Sequence, residues 1–400
     1  MSESAAVELR LQPGRHKRAR AGHPWIFSNE IDMTAAAKAL PPGTIAAFHE
    51  AGGAPLGSGF FNPHSLIAGR LMTRDAAPVD RALIERRVKA ALALRTRLFE
   101  APFYRLIHSE ADGLPGLIVD RYGDVAVVEI NAAGMERMKG DILAALDAAI
   151  APKAVLLKND GPARALEGLP SEVAWRGEAP TGPIEIVENG VRFLADLAGG
   201  QKTGWFYDHR ANRALTARFA RAGVRGGRVL DLFSYLGGFG IQAAAAGASH
   251  VVMVDRSQPA LDLAARAAAL NGVAERCSFT RAYAFDVMES YAVGGERFDV
   301  VIADPPAFVK SRKGLAAGAR GYRKMVRLAA PLVAPGGILF AASCSHHVDA
   351  AMFADEVRHG LADARRDGRI LFAGGAGPDH PVHPFLPESA YLKFQLLQVD

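Results

Sequence analysis

The second half of this 400-residue chain alternates apolar strands with helices, and no other feature of the sequence constrains the fold as strongly. Four strands and three helices are predicted there: strands at 228–232, 251–255, 298–303 and 337–342, and helices at 238–246, 258–270 and 322–333. Strand–helix–strand repetition requires parallel strands whose faces are covered by the helices. We therefore expect an α/β fold with a doubly wound, Rossmann-like sheet in this half of the chain.

The first half of the chain predicts two smaller units of a different kind. Short apolar runs at 45–48 and 56–61 alternate with Pro- and Gly-rich turns, which is typical of a small β domain or barrel. A helix over 79–100 then leads into a central α+β region with the order β-β-β-α-β-β-β. In that region the helix is predicted over 134–149 and the last two strands over 184–188 and 191–194. The predicted domains are therefore three: 1–75, 76–195 and 196–400.

Composition excludes several classes of protein. Apolar residues make up 50% of the chain and charged residues 22%, which is typical of a folded globular protein and not of a disordered one. No uninterrupted apolar run reaches the roughly 18 residues of a membrane-spanning helix. The N-terminus lacks a signal-peptide core, so we expect a cytoplasmic protein with no membrane partner. Cys277 and Cys344 are too few for a disulfide framework and are expected to be free thiols.

A glycine-containing turn follows the first strand of the α/β half. Its residues are Phe233, Ser234, Tyr235, Leu236, Gly237 and Gly238. Such a turn lets a ligand approach the backbone closely, and Asp255, at the end of the next strand, can accept hydrogen bonds from ribose hydroxyls. These features fit a dinucleotide or S-adenosylmethionine, and the absence of a G-x-G-x-x-G motif here disfavours the dinucleotide. The alternative is a tight turn beside a helix-capping aspartate.

Two later strand ends carry a carboxylate and a thiol. The strand at 298–303 ends in Asp304-Pro305-Pro306-Ala307-Phe308, a stiff loop that suits a planar base with polar edges. The strand at 337–342 ends close to Cys344. Neighbouring strand ends lie about 4.8 Å apart, so Asp304 and Cys344 would face one pocket if these two strands pair. The alternatives are a simple turn and a small buried thiol. We assign Cys277 to the latter class.

Positive charge is concentrated in two segments that contain no acidic residue. The first segment carries Arg10, Arg15, Lys17, Arg18 and Arg20. The second, over 307–327, carries Lys310, Arg312, Lys313, Arg320, Arg323, Lys324 and Arg327. Each segment either faces the phosphates of a nucleic acid or is a solvated charged surface. The nearby His346 and His347 lack a third ligand at useful spacing, so no metal site is expected.

Seven short motifs follow one another along the chain: H-P-W-I-F-S at 23–28, S-E-A-D-G-L-P-G at 109–116, G-Q-K-T-G-W-F-Y-D-H-R at 200–210, F-S-Y-L-G-G-F at 233–239, D-P-P at 304–306, S-C-S at 343–345 and D-H-P-V at 379–382. Together they resemble the bacterial 23S ribosomal RNA cytosine-5 methyltransferase family over nearly the whole chain. The resemblance implies a PUA domain, a central α+β domain and a class I methyltransferase domain. It implies S-adenosylmethionine as the cofactor and 23S ribosomal RNA as the partner, and it leaves a homodimer open.

The same resemblance implies roles for individual residues. The cofactor would be held by the turn from Phe233 to Gly238 and by Asp255, while Lys202, Phe206 and Asp208 would close over its methionine end. Such enzymes often bind the adenine amino group with an acid. Here Tyr283 stands near that place and Asp286 is the acid that follows. The nucleophile would be Cys344. The RNA contacts would be made by Pro305, Pro306, Phe308, Lys310, Arg312 and Lys313.

The chemistry of cytosine supports a covalent route for the methylation that this resemblance implies. Cytosine C5 is a poor carbon nucleophile until a thiolate adds at C6, and Asp304 would bind the N3/N4 edge of the ring and stabilise the charge that then develops. Two readings stay open beside it. One is N-methylation of a purine in ribosomal RNA, which needs no nucleophile. The other is a non-catalytic RNA-binding or ribosome assembly factor. A small-molecule methyltransferase would leave the accessory domains and basic segments without a role.

Overall fold

The computed structural model describes residues 7–75, 77–200, 202–221, 227–309 and 311–400. Its packing divides the chain into two compact units, each built from three segments. Unit 1 consists of Met1–Gly182, Asp196–Trp205 and Asp379–Pro387. Unit 2 consists of Pro183–Ala195, Phe206–Pro378 and Glu388–Asp400. The chain therefore crosses from one unit to the other five times. Unit 1 contains two separate sheets, and the three-domain division stays a prediction.

The first sheet of unit 1 has five strands in the order β1-β3-β4-β5-β2. Its elements are β1 (Val7–Arg10), α1 (Lys17–Arg20), β2 (Trp25–Ile26), α2 (Ala35–Lys38), β3 (Thr44–His49), β4 (Pro55–Phe61) and β5 (Gly69–Leu71). The strands predicted at 45–48 and 56–61 are confirmed as β3 and β4. Ile26, Phe48 and Phe61 are buried in its core. Gly59 allows β5 to approach β4, because a Cβ at Gly59 would collide with the carbonyl oxygen of Arg70.

The second sheet of unit 1 has the strand order β10-β9-β8-β7-β6. The elements are α3 (Arg81–Leu98), β6 (Phe103–His108), β7 (Leu117–Tyr122), β8 (Val125–Ile130), α4 (Ala133–Arg137), α5 (Lys139–Ile150), β9 (Ala154–Asn159), α6 (Ala163–Leu166) and β10 (Glu172–Gly177). The helix predicted over 134–149 is two helices, α4 and α5. The prediction missed β10, because its polar, partly exposed residues lack a strand's apolar alternation.

A short distant segment, Asp379–Pro387, completes the packing of unit 1. Asp379 is fully buried, and one of its carboxylate oxygens accepts a hydrogen bond from the backbone N–H of Arg105 at 3.1 Å. The fully buried Arg95 donates to the backbone carbonyl of Asp379 at 3.0 Å and also forms an ion pair with Asp112. Buried charges need such partners to offset their desolvation, so these contacts anchor the segment firmly within the unit.

Unit 2 begins with an antiparallel hairpin and continues as alternating helices and strands. Its elements are β11 (Ile184–Glu188), β12 (Val191–Ala195), α7 (Arg210–Ala220), β13 (Arg228–Leu232), α8 (Gly238–Ala245), β14 (His250–Asp255), α9 (Gln258–Leu270), β15 (Cys277–Arg281), α10 (Ala284–Val293), β16 (Phe298–Ala303), α11 (Leu315–Ala329), β17 (Val333–Ser343), α12 (Ala350–Asp363), β18 (Gly368–Gly374) and β19 (Lys393–Val399). The hairpin forms its own two-stranded sheet. The hairpin is thus separate from the five-stranded sheet that holds the other strands of the predicted central α+β region.

The main sheet of unit 2 has seven strands in the order β15-β14-β13-β16-β17-β19-β18. The first five are parallel, and β19 runs antiparallel to both of its neighbours. The predicted doubly wound α/β fold is confirmed. Within the described parts of the chain, no helix is both long enough and apolar enough to cross a membrane.

Candidate active site

Four strand ends meet at one edge of the unit 2 sheet. β13 pairs with β14 and β16, and β16 pairs with β17, all in parallel. The loops that follow these strands therefore emerge at the same edge. In open α/β sheets ligands bind outside the carboxyl ends of the strands, at the point where the strand order reverses. Here that point lies between β13 and β16, which identifies this edge as the candidate site.

The turn between β13 and α8 is strained in the way that ligand-binding turns often are. Phe233 and Tyr235 have positive φ angles of 61° and 48°, and Gly237 has 73°. Non-glycine residues rarely adopt this conformation, and it clusters at functional sites. A Cβ at Gly237 would lie 2.9 Å from atoms of Ile241 and Met253, so glycine is also required for space. Gly238 is buried at the first position of α8.

Two carboxylates hold this turn in place. Asp255 accepts hydrogen bonds from the backbone N–H groups of Tyr235 at 2.9 Å and Ser257 at 2.8 Å. Ser257, and not Asp255, caps the start of α9 with its side chain, so the helix-capping alternative for Asp255 is wrong. Asp231 accepts from the N–H of Gly240 at 2.8 Å, and burial raises the pKa of Asp231 to about 8.

The residues expected at the methionine end of the cofactor are divided between the two units. Phe206 and Asp208 belong to unit 2, and Lys202 belongs to unit 1, where it is exposed. The Phe206 ring meets the Tyr235 ring edge-on, with 5.4 Å between centroids. Asp208 is buried and accepts a hydrogen bond from the Tyr391 hydroxyl at 2.5 Å.

The residues considered for the adenine lie at the start of α10. Tyr283 is 61% exposed, and the guanidinium of Arg256 lies over its ring, 5.4 Å from the centroid. Asp286 is exposed in the first turn of α10. Phe285, between them in sequence, packs toward Phe233 with 6.2 Å between ring centroids. Tyr283, just after β15, thus stands where an acid was expected, and Arg256, just after β14, lies over its ring.

Cys344 and the Asp304 loop lie together, as the strand-pairing argument predicted. β16 and β17 are adjacent, with Ala303 opposite Ala341. The Sγ of Cys344 lies 3.9 Å from the carbonyl oxygen of Pro305. Cys344 is partly buried, Pro305 is buried and Pro306 is exposed. A thiol and a carboxylate on neighbouring strand ends can act together on one planar ring.

A polar cluster that the sequence did not reveal links these two loops. The Oγ of Ser345 accepts the backbone N–H of Val309 at 3.1 Å and lies 2.7 Å from the Tyr322 hydroxyl. The Phe308 ring packs on Tyr322 with 4.8 Å between centroids. The ammonium of Lys393 donates to the carbonyls of Ser345 at 2.6 Å and Tyr391 at 2.7 Å. Burial lowers the pKa of Lys393 to about 8, although the charge of nearby Cys344 opposes this.

Asp304 has a buried partner, His209, which lies in the motif at 200–210 and which no sequence signal links to Asp304. The Nε2 of His209 lies 3.2 Å from Oδ2 of Asp304. Burial alone would lower the pKa of His209, but the charge of Asp304 and the hydrogen bond to it outweigh burial and raise it. The Asp304 side chain remains 24% exposed, so part of the carboxylate is open to a ligand.

The two basic segments are only partly available to a polyanion. Arg312 and Lys313 are exposed in the turn before α11, whereas Lys310 lies outside the described residues. Further along, Arg323 pairs with Asp363 and Lys324 with Glu289. In the N-terminal segment, Arg18 pairs with Glu30 and Arg20 with Glu50. These ion pairs neutralise several of the positive charges in the two basic segments.

Comparison with known proteins agrees with this geometry. Residues 150–364 match the family model described as S-adenosylmethionine-dependent methyltransferase, and residues 9–74 match that of a PUA-like domain. The chain is 38% identical to ribosomal RNA large subunit methyltransferase I of Photobacterium profundum, over 97% of this chain and 98% of that one. It is 37% identical to the Klebsiella pneumoniae protein of the same name, over 98% of both.

The chain belongs to the ribosomal RNA large subunit methyltransferase I family. Solved structures support the fold of this family member. A SAM-dependent methyltransferase from Streptococcus mutans, 20% identical, aligns with a TM-score of 0.82 over 98% of this chain and all of that one. A methyltransferase solved with S-adenosylhomocysteine, 19% identical, aligns with a TM-score of 0.83 over the same shares.

The site residues of this family member fit S-adenosylmethionine, the cofactor of the family. The Oγ of Ser234 is buried and has no hydrogen-bond partner among the described residues, so a ligand atom would satisfy it. This serine is part of the strained turn from Phe233 to Gly237, and the carboxylate of Asp255 ends the neighbouring strand. This combination of a buried hydroxyl, a carboxylate and a strained turn suits a nucleoside that carries an amino acid.

Proposed function

We propose that this protein methylates C5 of a cytosine in large-subunit ribosomal RNA, with Cys344 as the covalent nucleophile. The observation that carries the proposal is the placement of Cys344 Sγ 3.9 Å from the carbonyl oxygen of Pro305, directly beside Asp304. Relatives of the chain are named for methylation of ribosomal RNA of the large subunit. A purine N-methyltransferase would have no use for a thiol in this place.

The cofactor would be held by the β13–α8 turn, Asp255, Phe206 and Asp208, all of unit 2. When bound, S-adenosylmethionine supplies a methyl group on an electrophilic sulfonium. The ribose hydroxyls would donate to Asp255, and Ser234 would contact the amino acid part. The exposed Tyr283 ring, with Arg256 over it, offers the adenine a flat surface, and Asp286 would be the acid near its amino group.

The role of Cys344 is to turn cytosine C5 into a nucleophile. Its thiolate adds to C6, and the C5–C6 double bond opens so that C5 can form a bond to the incoming methyl group. C5 then loses its proton to a base, and the thiolate leaves C6 as the double bond re-forms. Only one cysteine lies at the site, because Cys277 is on β15. Burial also raises the pKa of the Cys277 thiol to about 11, which disfavours its thiolate. A positive charge close to a thiol favours the thiolate, and the ammonium of Lys393, which interacts electrostatically with Cys344, would provide one.

Asp304 would bind the N3/N4 edge of the cytosine while the ring accumulates negative charge. Its carboxylate accepts a hydrogen bond from the exocyclic amino group and from N3 when N3 carries a proton. Pro305 and Pro306 keep the loop rigid, and Phe308 offers an aromatic face close by. The cytosine must be unpaired or flipped from its stack to reach these residues.

The RNA would be contacted by the PUA-like region within 1–75 and by the cations beside the pocket. Arg312 and Lys313, with Lys310 preceding them in sequence, would meet phosphates. The central region 76–195 would complete the three-domain arrangement. An enzyme that acts on ribosomal RNA works where ribosomes are assembled, so we include a cytoplasmic location in the proposal.

The deciding experiment uses RNA that carries 5-fluorocytidine. Fluorine cannot leave C5 as a proton does, so the wild-type enzyme should remain covalently attached and survive denaturing electrophoresis. Cys344→Ala should form no such complex and should lose nearly all methylation of normal RNA, whereas the control Cys277→Ala should behave like the wild type. Mass spectrometry of nucleosides should show 5-methylcytidine.

Three outcomes would contradict the proposal. A Cys344→Ala variant with substantial turnover would remove the nucleophile. An N-methylated purine in the digest would replace the reaction. RNA that binds but gains no methyl group would favour an assembly factor.

A further inference from the structure

His209 is a buried imidazole that faces the Asp304 carboxylate of the site. It lies between two aromatic rings, with centroid distances of 5.3 Å to Phe239 and 6.1 Å to Phe340. Its Nε2 lies 3.2 Å from Asp304 Oδ2. A histidine that served only to fill the core would not need to face the one carboxylate that ends β16.

The neighbouring Asn212 determines which ring nitrogen carries the proton. The Nδ2 of Asn212 lies 3.1 Å from Nδ1 of His209 and 3.2 Å from the carbonyl oxygen of Gly375. The Gly375 carbonyl can only accept, so the amide nitrogen, and not the amide oxygen, must occupy this position. Asn212 therefore donates to Nδ1, and the proton of the neutral imidazole is left on Nε2, where it points at Asp304.

We propose that His209 is the positioning residue for Asp304, held by Asn212 as the Nε2–H tautomer. The proposal rests on the proposed function, because it deepens the role of Asp304. The imidazole N–H occupies one carboxylate oxygen and thereby fixes the orientation of the carboxyl group. The other oxygen is left as an acceptor for the base.

An acceptor at this place selects between pyrimidines. Cytosine presents an amino group at C4, which is a donor, whereas uracil presents an oxygen, which is an acceptor. An ionised, oriented Asp304 bonds the first and repels the second. His209 thus contributes to the choice of cytosine without touching the base.

The charged groups around the imidazole act in opposite directions. Burial and the charge of Arg213 lower the pKa of His209, while Asp304 and Asp208 raise it, and the net pKa is raised. The N–H of Asn212 that faces Nδ1 opposes a second ring proton, because a protonated Nδ1 could not accept it. The hydrogen bonds of Asn212, and not the charges, therefore select the Nε2–H tautomer.

The first test reads the tautomer directly and needs neither RNA nor turnover. Long-range nitrogen–proton NMR on protein with labelled histidine separates a protonated ring nitrogen from one that bears a lone pair, and a His209→Gln spectrum identifies the His209 signals. We expect a protonated Nε2 and an unprotonated Nδ1 at pH 7.5. Asn212→Asp should place a proton on Nδ1. A wild-type ring with Nδ1 protonated would overturn the proposal.

The second test replaces His209 by Gln or Asn, two amides whose side chains differ in length. The amide nitrogen of Gln can occupy the position of Nε2, whereas that of Asn reaches only the position of Nδ1. His209→Asn should therefore lower kcat/KM for the cytosine substrate by roughly 10- to 100-fold, the range of a hydrogen bond to a charged group. His209→Gln should recover most of this loss. The control His359→Asn, on α12, should leave kcat/KM as it is.

Selectivity separates positioning from a general loss of structure. His209→Asn should lower the preference for RNA with cytosine over RNA with uracil at the target, while calorimetry finds S-adenosylhomocysteine affinity within about twofold of wild type. Equal losses in Gln and Asn variants, with selectivity unchanged, would mean that His209 only packs. If the wild type forms no adduct with 5-fluorocytidine although the tautomer is as expected, the proposed function fails and the His209–Asp304 geometry stands.

Discussion

Asp231 is a buried acid whose titration couples the cofactor turn to pH. Its Oδ2 accepts the N–H of Gly240, and burial raises its pKa to about 8. In the unfolded chain the pKa of an aspartate is about 3.9. A raised carboxyl pKa stabilises the folded state fully below the unfolded pKa, and this contribution is lost as the pH rises through 8.

Replacing this carboxyl by an amide should remove that pH dependence. Between pH 4 and pH 8 the folded state holds a proton that the unfolded state has released, so the free energy of unfolding falls by up to about 1.4 kcal/mol per pH unit. Asp231→Asn keeps an acceptor oxygen for Gly240 and cannot ionise. Urea unfolding followed by circular dichroism at several pH values should therefore give a flatter profile for the variant. Parallel profiles would mean that Asp231 titrates normally.

The loops after β16 and β17 are held together by the side chain of one helix residue. Tyr322, on α11, bonds Ser345 at 2.7 Å and lies 3.4 Å from the backbone nitrogen of Phe308. Burial raises the pKa of this hydroxyl, so it remains a neutral donor. The distance between Cys344 and Asp304 depends on the positions of both loops. Because Tyr322 bonds both loops, it helps to set that distance.

Tyr322→Phe should loosen that spacing without emptying the core. A neutral hydrogen bond contributes about 1 kcal/mol, so we expect methylation and covalent trapping to slow roughly fivefold. Affinity for S-adenosylhomocysteine should stay the same, because the cofactor turn lies on β13. Tyr291→Phe, whose ring packs on Phe298, is the matched control. A variant with unchanged trapping rate would show that the loops hold their spacing by other contacts.

The buried parallel strands could be predicted from sequence because they are largely apolar on both faces. β13, β14, β16 and β17 each contain a run of mostly apolar residues, interrupted in β13 by Asp231. Three other strands could not be predicted. β15 is a partly exposed edge with polar residues, β18 is exposed throughout, and β19 pairs with strands that come earlier in the chain. Local pattern carries no information about such long-range pairing.

In the candidate site, too, some contacts could be predicted from the sequence and others could not. The meeting of Asp304 with Cys344 could be predicted, because neighbouring parallel strands end together. His209 and Lys393 could not, since they reach the site from a helix start and a C-terminal strand far away in sequence. Their contacts depend on tertiary packing, and no spacing rule connects residue 209 to 304 or 393 to 345. The adenine contact could not be predicted for a different reason, because Tyr283 stands where an acid was expected.

For the whole molecule, charge should govern the binding of RNA. The chain carries a net charge of +5, and Arg312 and Lys313 are exposed beside the site. Affinity should fall with salt, with a log–log slope of about −0.7 for each single-strand phosphate that is neutralised. Arg312→Glu with Lys313→Glu should flatten that slope in filter-binding or fluorescence titrations and leave cofactor affinity alone. Arg266→Glu, on the exposed side of α9, is the control. An unchanged slope would assign the segment to a solvated surface.

The route of the chain through its two units determines when the enzyme can exist during its own synthesis. Residues 379–387 complete unit 1 around Asp379, and the residues after them supply β19, which joins β17 to the edge strand β18. Both units therefore lack a buried piece until residues 379–400 have been synthesised. A growing chain that has not reached residue 379 can complete neither unit, although most of both has already been made. The two units therefore become complete over the same short stretch of synthesis, and a chain that stops before residue 379 yields neither of them intact.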